Sequence, residues 1–302
     1  MRIALTLIAQ PLIAGARDPA LSRRAAAVAA ALAVTTEPLW LAAETACDLI
    51  VDADDPVAVA ATARSVLGGT PIDVLAQPQR GRRKRLFVAD LESTMIENEM
   101  LDELAALLGI GPLVAAVTRQ AMNGEIDFAA ALEARVALLA GIDAAILERA
   151  AARIRPTAGA GTLLRTMRGH GAMTALVTGG FTVFAERVAA RFGFDRVIAN
   201  RLEIIAGRVT GRVLPPIVTA AGKRDALLAL AARAGISPAQ TLAVGDGAND
   251  LAMLAAAGLG VAFHAKPRVA AAARWRLDHA DLRGLLFAQG YRRDEFVPAE
   301  PA

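Results

Sequence analysis

The chain is poor in the residues that build disulfide frameworks and aromatic binding surfaces. Its 302 residues include one cysteine, Cys47, and only 4% aromatic residues. A single cysteine excludes a disulfide within the chain, so a reducing, cytoplasmic setting is expected. No stretch of about 18 uninterrupted apolar residues occurs, and we therefore expect no membrane span and no membrane partner.

The chain also has little excess charge of either sign. Its 33 basic and 30 acidic residues give a formal net charge of +3, too small to indicate a nucleic-acid partner. The one dense basic segment holds Arg80, Arg82, Arg83, Lys84 and Arg85. No aromatic residues that could stack on bases interleave with it, so we interpret it as a solvated linker and expect no nucleic-acid contact.

A regular pattern of short elements occupies the first 80 residues. Helical and strand segments follow one another in the order β-α-β-β-α-β, which predicts a small ferredoxin-like α+β domain over residues 1–80. The predicted strands are 3–9, 34–41, 46–52 and 72–76, and the predicted helices are 19–32 and 57–67. A polar segment rich in proline and glycine, 77–81, follows.

From Leu86 onward, strands alternate with helices, which predicts an α/β fold with a doubly wound parallel sheet. We assign residues 86–96 and 156–290 to this core and 291–302 to a C-terminal tail. Residues 97–155 show only helical patterns and predict a helical cap insertion. Core strands are predicted at 173–177, 196–200, 241–244 and 259–263, with a hairpin at 202–213, and core helices at 183–192, 225–234 and 250–257.

The strand that opens this core ends in two carboxylates, Asp90 and Glu92, followed by two hydroxyl side chains. Alternate strand residues share a face, and ligands bind outside the carboxyl ends of strands in open α/β sheets. One carboxylate could attack an electrophile while the other moves a proton. Acidic residues after strands are also common turn and cap residues, and segment 49–56 has the same appearance. There, Asp55 directly before a proline favours a helix cap.

Three further polar sites follow strands or precede helices. They are Thr178-Gly179-Gly180, Gly222-Lys223 and the turn Gly245-Asp246-Gly247-Ala248-Asn249-Asp250. A hydroxyl and bare backbone amides can hold phosphate oxygens, and two carboxylates with an amide in one turn suit Mg²⁺. Taken singly, each site has an ordinary alternative: a plain turn, a solvated lysine and a helix cap.

The four sites in this order resemble the catalytic motifs of the haloacid dehalogenase superfamily. Further matches make the chain similar to the phosphoserine phosphatases of the bacterial SerB type over about residues 86–290. These matches are Ser93-Thr94-Met95-Ile96, Glu99, Asp102-Glu103-Leu104, Ala121-Met122, Phe128, Arg135-Val136, Val177-Thr178-Gly179-Gly180-Phe181-Thr182 and Gly258-Leu259-Gly260. The N-terminal domain is similar in layout only to the ACT-like domain of that family.

The resemblance implies a Mg²⁺-dependent phosphatase that acts through an aspartyl-phosphate. Asp90 would be the nucleophile, and Glu92 would protonate the leaving oxygen and then deprotonate the attacking water. The implied metal ligands are Asp90, the backbone carbonyl of Glu92, Asp246 and, through water, Asp250. The implied ligands of the phosphoryl group are Thr178, Gly179, Gly180 and Lys223, and Asn249 would orient the phosphate or a carboxylate near the metal.

The resemblance also implies that the helical insertion is a cap that selects O-phospho-L-serine, so that the enzyme completes serine synthesis. Glu99 would bind the substrate ammonium, and Arg135 would bind its carboxylate, preferably by a bidentate bond. Met122 and Phe128 would form an apolar lid that excludes water. Without the other motifs, Met122 and Phe128 would be interpreted as core residues and Arg135 as a surface charge.

Two positions depart from the family pattern. The family has aspartate where this chain has Glu92, and the added methylene would move the acid by about 1.5 Å. Metal binding should survive, because this position contributes only its backbone carbonyl, and we expect an active enzyme with an equal or lower rate. The segment 217–220, before Lys223, lacks the aspartate that the family more often has there.

The sequence leaves alternatives open. The same hydrolase could act on another small phosphomonoester, such as phosphohomoserine, or could transfer the phosphoryl group. A protein of another class, an amino-acid-sensing regulator whose catalysis is weakened by Glu92, would have no need for the complete set of catalytic side chains. Exposed edge strands would allow a homodimer, although nothing in the sequence requires one.

Overall fold

The N-terminal part of the chain forms a four-stranded antiparallel sheet with helices packed against it. The computed structural model describes residues 1–9, 21–122 and 125–298. The elements in chain order are β1 (Arg2–Ala9), α1 (Leu21–Ala31), β2 (Leu39–Ala42), β3 (Ala46–Asp52), α2 (Pro56–Leu67) and β4 (Ile72–Pro78). The sheet order is β2-β3-β1-β4, and the succession of elements agrees with the predicted β-α-β-β-α-β pattern.

The start of β2 differs from the prediction. β2 begins at Leu39 rather than at residue 34. Ala33 turns the chain after α1 with a left-handed φ of 52°, and Pro38 has no N–H group to donate to a strand ladder. Residues 19 and 20 of the predicted first helix lie outside the described residues, and α1 is described from Leu21.

The second sheet has seven strands in the order β11-β10-β9-β5-β6-β7-β8. They are β5 (Leu86–Ala89), β6 (Met173–Phe181), β7 (Arg196–Ile205), β8 (Arg208–Leu214), β9 (Thr241–Gly245), β10 (Leu259–Phe263) and β11 (Trp275–Leu277). All neighbours pair in parallel except the antiparallel β7–β8 hairpin. The predicted α/β fold with a mostly parallel sheet is therefore confirmed. From β5 the chain proceeds to β6 on one side and later to β9 on the other, so a ligand crevice is expected at the end of β5.

Helices occupy the connections of this second sheet. Between β5 and β6 the chain forms α3 (Met100–Leu108), α4 (Gly111–Met122), α5 (Phe128–Ala137), α6 (Ala145–Ala151) and α7 (Ala160–Gly169). The later helices are α8 (Thr182–Phe192), α9 (Ala220–Arg233), α10 (Leu251–Ala256), α11 (Pro267–Ala272) and α12 (Gly284–Ala288). Among the described residues, no helix combines the length and the hydropathy that a bilayer crossing would need.

Local chemistry explains where several of these helices begin and end. α3 buries Met100, Leu101 and Leu104 along one stripe and ends at Gly109, which takes the left-handed φ of 70° that favours glycine. α9 begins at Ala220, five residues before the prediction, because the hydroxyl oxygen of Thr219 accepts the Gly222 N–H and caps the helix. The sequence did not predict α7, although its apolar residues Leu163, Leu164 and Met167 lie on one buried stripe. It also did not predict α11, β11 or α12, which have six residues or fewer and therefore give little periodic pattern.

Both faces of the N-terminal sheet are buried. Residues 3–9 of β1 are all buried, although successive strand side chains point to opposite faces. Apolar residues of this sheet and of α12 belong to one continuous buried cluster. Gln77 also donates from Nε2 to the Ala288 carbonyl of α12 at 2.6 Å. The two sheets therefore share one core.

The basic segment before β5 is not the solvated linker that the sequence predicted. Arg82 forms a buried ion pair with Asp48 of β3, and Arg83 pairs with Glu295 at 2.7 Å. Lys84 is buried, and its ammonium donates to two backbone carbonyls. Arg82, Arg83 and Lys84 therefore have polar partners within the chain, whereas Arg80 and Arg85 are exposed to solvent.

Candidate active site

A buried carboxylate and a buried ammonium meet at the end of the central strand. Asp90 directly follows β5 and extends its pairing with β9, since its N–H donates to the Val244 carbonyl at 3.0 Å. Lys223, on the first turn of α9, donates from Nζ to Asp90 Oδ1 and to Asp250 Oδ1, each at 2.7 Å. Asp90 is 5% exposed and Lys223 is 1% exposed. The departure from the family pattern before Lys223 has not moved the ammonium away from these carboxylates.

The turn after β9 supplies two more carboxylates to the same place. Asp246 and Asp250 are both buried, and Asp250 Oδ2 accepts the Gly247 N–H at 3.0 Å. A Cβ on Gly245 would lie 2.3 Å from Asp250 Cγ, so only glycine at that position permits the close approach. Carboxylate oxygens of Asp90, Asp246 and Asp250 all lie within 4.8 Å of one another.

The electrostatics of this cluster favour an additional cation. Burial, followed by the charges of Asp90 and Glu99, raises the pKa of Asp246 to about 6. Burial and Asp90 likewise raise the pKa of Asp250. Burial lowers the pKa of Lys223, but Asp90 and Asp250 outweigh this and hold it above its ordinary value. Three buried carboxylates and one ammonium leave an excess of negative charge, and their oxygen atoms fit a hard divalent cation.

Glu92 lies in the tight turn 91–95 that follows Asp90. Ser93 takes a left-handed φ of 52° in this turn. Glu92 Oε1 accepts the Met100 N–H at 2.9 Å, which satisfies a free amide at the start of α3. A Cβ on Gly180 would lie 2.8 Å from Glu92 Oε2. Burial and the charge of Glu99 raise the pKa of Glu92 to about 8, against the opposing Met100 hydrogen bond. The side chain of Glu92, longer than the aspartate of the family pattern, therefore fits between α3 and the bare backbone of Gly180.

The predicted hydroxyl–glycine–glycine site lies at the end of β6. Thr178 is 1% exposed, and its Oγ1 accepts the Gly180 N–H at 2.9 Å. The amide of Gly180 is therefore already bonded, whereas the hydroxyl proton of Thr178 remains available to donate. A Cβ on Gly179 would lie 3.0 Å from the Phe128 ring, so α5 contacts this site at Phe128.

The other predicted cap and turn residues differ in how they are held and in what they contact. Glu99 accepts a hydrogen bond from Ser93 Oγ at 2.8 Å. Arg135 donates from Nε to the Ala131 carbonyl of its own helix, and among the described residues no carboxylate lies within 4.0 Å of its guanidinium. Asn249 lies beside Gly247, whose Cβ would come within 2.3 Å of its Oδ1. The side chain of Met122 lies outside the described residues.

Sequence reasoning missed two residues that lie near this site. Asn200, fully buried at the junction of β7 with β6, donates to the Gly179 carbonyl and accepts the Val218 N–H, both at 2.7 Å. It thereby joins the Thr178 loop to the segment that leads into α9. Lys266, after β10, lowers the pKa of Asp246. Lys266 follows a core strand, as Asp90 does, and that position could have indicated it, whereas Asn200 lies within β7 and no local pattern indicates its role.

Comparison with known proteins agrees with this architecture. Residues 87–255, more than half of the chain, match the model of the haloacid dehalogenase-like hydrolases. A phosphoserine phosphatase of Streptomyces coelicolor is 44% identical over 246 residues, 82% of this chain and 60% of that protein. One of Idiomarina loihiensis is 46% identical over 201 residues, 67% of this chain and 91% of that protein.

The likeness extends to the whole described fold. A crystal structure of a HAD family hydrolase from Salmonella enterica serovar Typhi has a TM-score of 0.85 and 28% identity, covering 96% of this chain and 98% of that one. The chain spans less than two thirds of the length of several curated relatives that it matches. The chain belongs to the haloacid dehalogenase-like hydrolase family, in which its relatives by sequence are the phosphoserine phosphatases.

Proposed function

We propose that the protein is a Mg²⁺-dependent phosphatase that hydrolyses O-phospho-L-serine to L-serine and phosphate through an aspartyl-phosphate. One observation supports this above the others: the buried Asp90 carboxylate contacts Lys223 within a cluster that includes Asp246 and Asp250. The choice of phosphoserine as the substrate rests on the related proteins, which are named phosphoserine phosphatases.

Mg²⁺ would be held by Asp90, Asp246 and the backbone carbonyl of Glu92, with Asp250 acting through water. The excess of buried carboxylates over ammonium groups supports a divalent cation with oxygen ligands. When bound, the ion neutralises charge on the phosphoryl group. The remaining chemistry belongs to the side chains of this protein.

Asp90 and Glu92 would divide the reaction into two displacements. A carboxylate oxygen of Asp90 forms a bond to phosphorus while the bond from phosphorus to the serine oxygen breaks, and Glu92 gives that oxygen a proton. Glu92 then takes a proton from water, whose oxygen attacks phosphorus and frees Asp90. The hydrogen bond from Met100 N–H to Glu92 Oε1 supports this role, because it fixes one oxygen and leaves Oε2 for proton transfer.

Thr178 and Lys223 would stabilise the charge that develops on the phosphoryl oxygens. The Thr178 oxygen accepts the Gly180 N–H, so its hydroxyl proton is free to donate. Lys223 holds Asp90 by a hydrogen bond and so limits its rotation. Gly179 would allow close approach of the phosphate, and Asn249 would orient the phosphate or a carboxylate near the metal.

The cap would select serine through its two charged ends. Glu99 would bind the ammonium and Arg135 the carboxylate, and the absence of a carboxylate beside Arg135 in the described chain supports an external partner for it. Phe128, against Gly179, would exclude water from the phosphoryl site, together with Met122.

The first experiment measures phosphate release from O-phospho-L-serine with Mg²⁺ and with EDTA. We expect release that EDTA abolishes and that added Mg²⁺ restores. No release from folded, metal-loaded protein would contradict the proposal. Release from p-nitrophenyl phosphate but not from phosphoserine or phosphohomoserine would support the assignment as a phosphatase and contradict the assignment of an amino-acid substrate.

A second experiment separates substrate selection from chemistry. Arg135→Gln should raise KM for phosphoserine at least about tenfold, because a charge-assisted hydrogen bond is lost, and should leave p-nitrophenyl phosphate hydrolysis nearly unchanged. Arg119→Gln, on the exposed side of α4 in the same cap, is the matched control. Equal loss with both substrates would show that Arg135 acts on the fold of the cap rather than on serine.

We further propose the division of the chain into an ACT-like unit (1–80), a core (86–96 and 156–290), a cap (97–155) and a tail (291–302). The succession of elements and the order β2-β3-β1-β4 support the first unit. We also propose that two copies of the chain pair through the edge strand β2. A molecular mass in solution of twice that of the chain would support this homodimer.

A further inference from the structure

A polar cavity lies between the two sheets, and the catalytic cluster is not part of it. It has a volume of about 150 Å³ and is lined by α2, the loop after it, β4, β11 and the residues that follow β11. Its polar lining includes Arg64, Thr70, Asp73, Arg276, Asp278 and His279, and none of the catalytic carboxylates. The cavity therefore joins the N-terminal sheet to the far edge of the core sheet.

The two carboxylates of this cavity already have partners. Asp73 Oδ1 accepts the N–H of Asp278 at 2.7 Å, and Oδ2 accepts the N–H of Ala280 at 2.7 Å. The His279 N–H lies 3.2 Å from both oxygens. Asp278 Oδ2 pairs with Arg276 Nε at 2.7 Å. Each carboxylate therefore has a close polar partner other than Arg64.

The two arginines of the cavity differ in their partners. Arg64 donates from Nη2 to the Val74 carbonyl at 2.9 Å, and no carboxylate of the described chain lies within 4.0 Å of its guanidinium. Arg276 pairs with Asp278 through Nε, and its side chain is 43% exposed. Burial, followed by the charge of Arg276, lowers the pKa of Arg64, and the charges of Asp278 and Asp73 offset only part of this shift.

The hydroxyl of Thr70 supplies an independent observation. Its Oγ1 is shielded from solvent and has no hydrogen-bond partner among the described residues, although buried polar atoms normally have one. Thr70 lines the same cavity as the two arginines. A donor hydroxyl in the same cavity as the guanidinium groups of Arg64 and Arg276 matches the needs of a tetrahedral or planar oxyanion.

We propose that this cavity binds a small oxyanion, a phosphate or carboxylate group, between Arg64 of the N-terminal sheet layer and Arg276 of the core. The ligand offsets the positive charge of the two guanidinium groups and gives Thr70 an acceptor. Because its ligands come from both sheets, binding stabilises the contact between them. The site is independent of the phosphatase proposal.

The test uses Trp275 as a local reporter. The chain has two tryptophans, and Trp275 in β11 lies beneath the Arg64 guanidinium, 5.9 Å from its ring centroid. In a Trp40→Phe background, Trp275 emission is titrated separately with inorganic phosphate and with acetate at constant ionic strength, with chloride as the reference. Repetition with Asp90→Asn shows whether phosphate bound at the catalytic cluster contributes to the signal. We expect a saturable change that survives Asp90→Asn.

Matched variants identify the ligands of the anion. Arg64→Gln and Arg276→Gln should each weaken binding at least about tenfold, because each removes a charge-assisted hydrogen bond. Arg274→Gln is the control, since its guanidinium lies over the same Trp275 ring, 5.4 Å away, but does not line the cavity. Saturation by phosphate alone or by acetate alone identifies the ligand group. The proposal would be overturned if no saturable change occurred, or if both arginine variants, shown to be folded by circular dichroism, bound the anion as tightly as the parent protein.

Discussion

Two strands of this protein end in nearly the same acidic pattern, and the structure gives the two patterns opposite surroundings. After β3, the side chains of Asp52 and Asp54 are 81% and 103% exposed. After β5, Asp90 is 5% exposed and bonded to Lys223. The acidic residues are alike in type and spacing, so the difference arises outside the local sequence.

The direction of the neighbouring strands explains the difference. β3 is antiparallel to β1, so its end lies beside the beginning of β1, where Asp52 is opposite Arg2. β5 is parallel to β6 and β9, so three strand ends meet at one edge. Parallel pairing therefore gathers Asp90, Thr178 and Asp246, whereas antiparallel pairing leaves Asp52 and Asp54 exposed at the end of β3.

The largest expected effect on phosphate release is that of removing the carboxylate charge after β5, compared with removing one at the end of β3. Asp90→Asn should lower phosphate release by at least about a thousandfold, as loss of a nucleophile does. The matched variants Asp52→Asn and Asp54→Asn should change the rate by less than about twofold, because isolated surface substitutions have small effects. Initial rates with phosphoserine and Mg²⁺ test this, with thermal melting to establish folding. Comparable losses at both ends would contradict the distinction.

The next effect tests how the carboxylates are brought together. In Gly245→Ala, the new Cβ would lie 2.3 Å from Asp250 Cγ, so Asp250 must move and its bond to Lys223 is disturbed. We expect about a hundredfold lower turnover, the size of effect that a displacement of about 1 Å produces. Turnover is measured well below the melting temperature.

The control for that substitution is Gly111→Ala at the start of α4. A Cβ at Gly111 meets nothing within 4 Å, and alanine favours a helix over glycine. We expect unchanged turnover and equal or higher stability. If Gly245→Ala retained full turnover, the close approach of Asp250 to Gly245 would not matter for chemistry.

A smaller effect is expected at Glu92. Glu92→Asp restores the residue usual in the family but shortens the side chain that accepts the Met100 N–H. We expect turnover to be equal or up to about tenfold lower, because the hydrogen bond that positions the carboxyl group is lost. Steady-state kinetics with phosphoserine measure it. A rise in turnover would show that the surroundings of this position are not adapted to glutamate.

The site residues at the strand ends could be predicted, because short sequence patterns identify them. Asp90, Thr178 and Asp246 each follow an apolar run, and the parallel sheet brings them to one edge. Lys223 could be included only through the resemblance to a family, since a lysine before a helix has no distinctive pattern. The structure brings its ammonium to Asp90 across 133 residues of sequence.

Contacts between distant segments could not be predicted. The basic segment before β5 was interpreted as solvated, because nothing local indicates that Asp48 would accept Arg82 or that Glu295 would accept Arg83. Asn200 was overlooked for the same reason: both of its hydrogen-bond partners come from other loops. The buried second face of the N-terminal sheet likewise depends on α12, a five-residue helix at the other end of the chain.

The smallest effect concerns the acid that the sequence correctly assigned to a helix cap. Asp55 accepts the Val57 N–H at 2.8 Å, with Pro56 as the first residue of α2. Asp55→Ala should lower the free energy of unfolding by about 1 kcal/mol, as loss of a cap does, and leave turnover at 25 °C unchanged. Asp54→Ala, its exposed neighbour, is the control for charge. Lower turnover without a lower melting temperature would mean that this strand end acts on the catalytic cluster, and the contrast between the two acidic patterns would then fail.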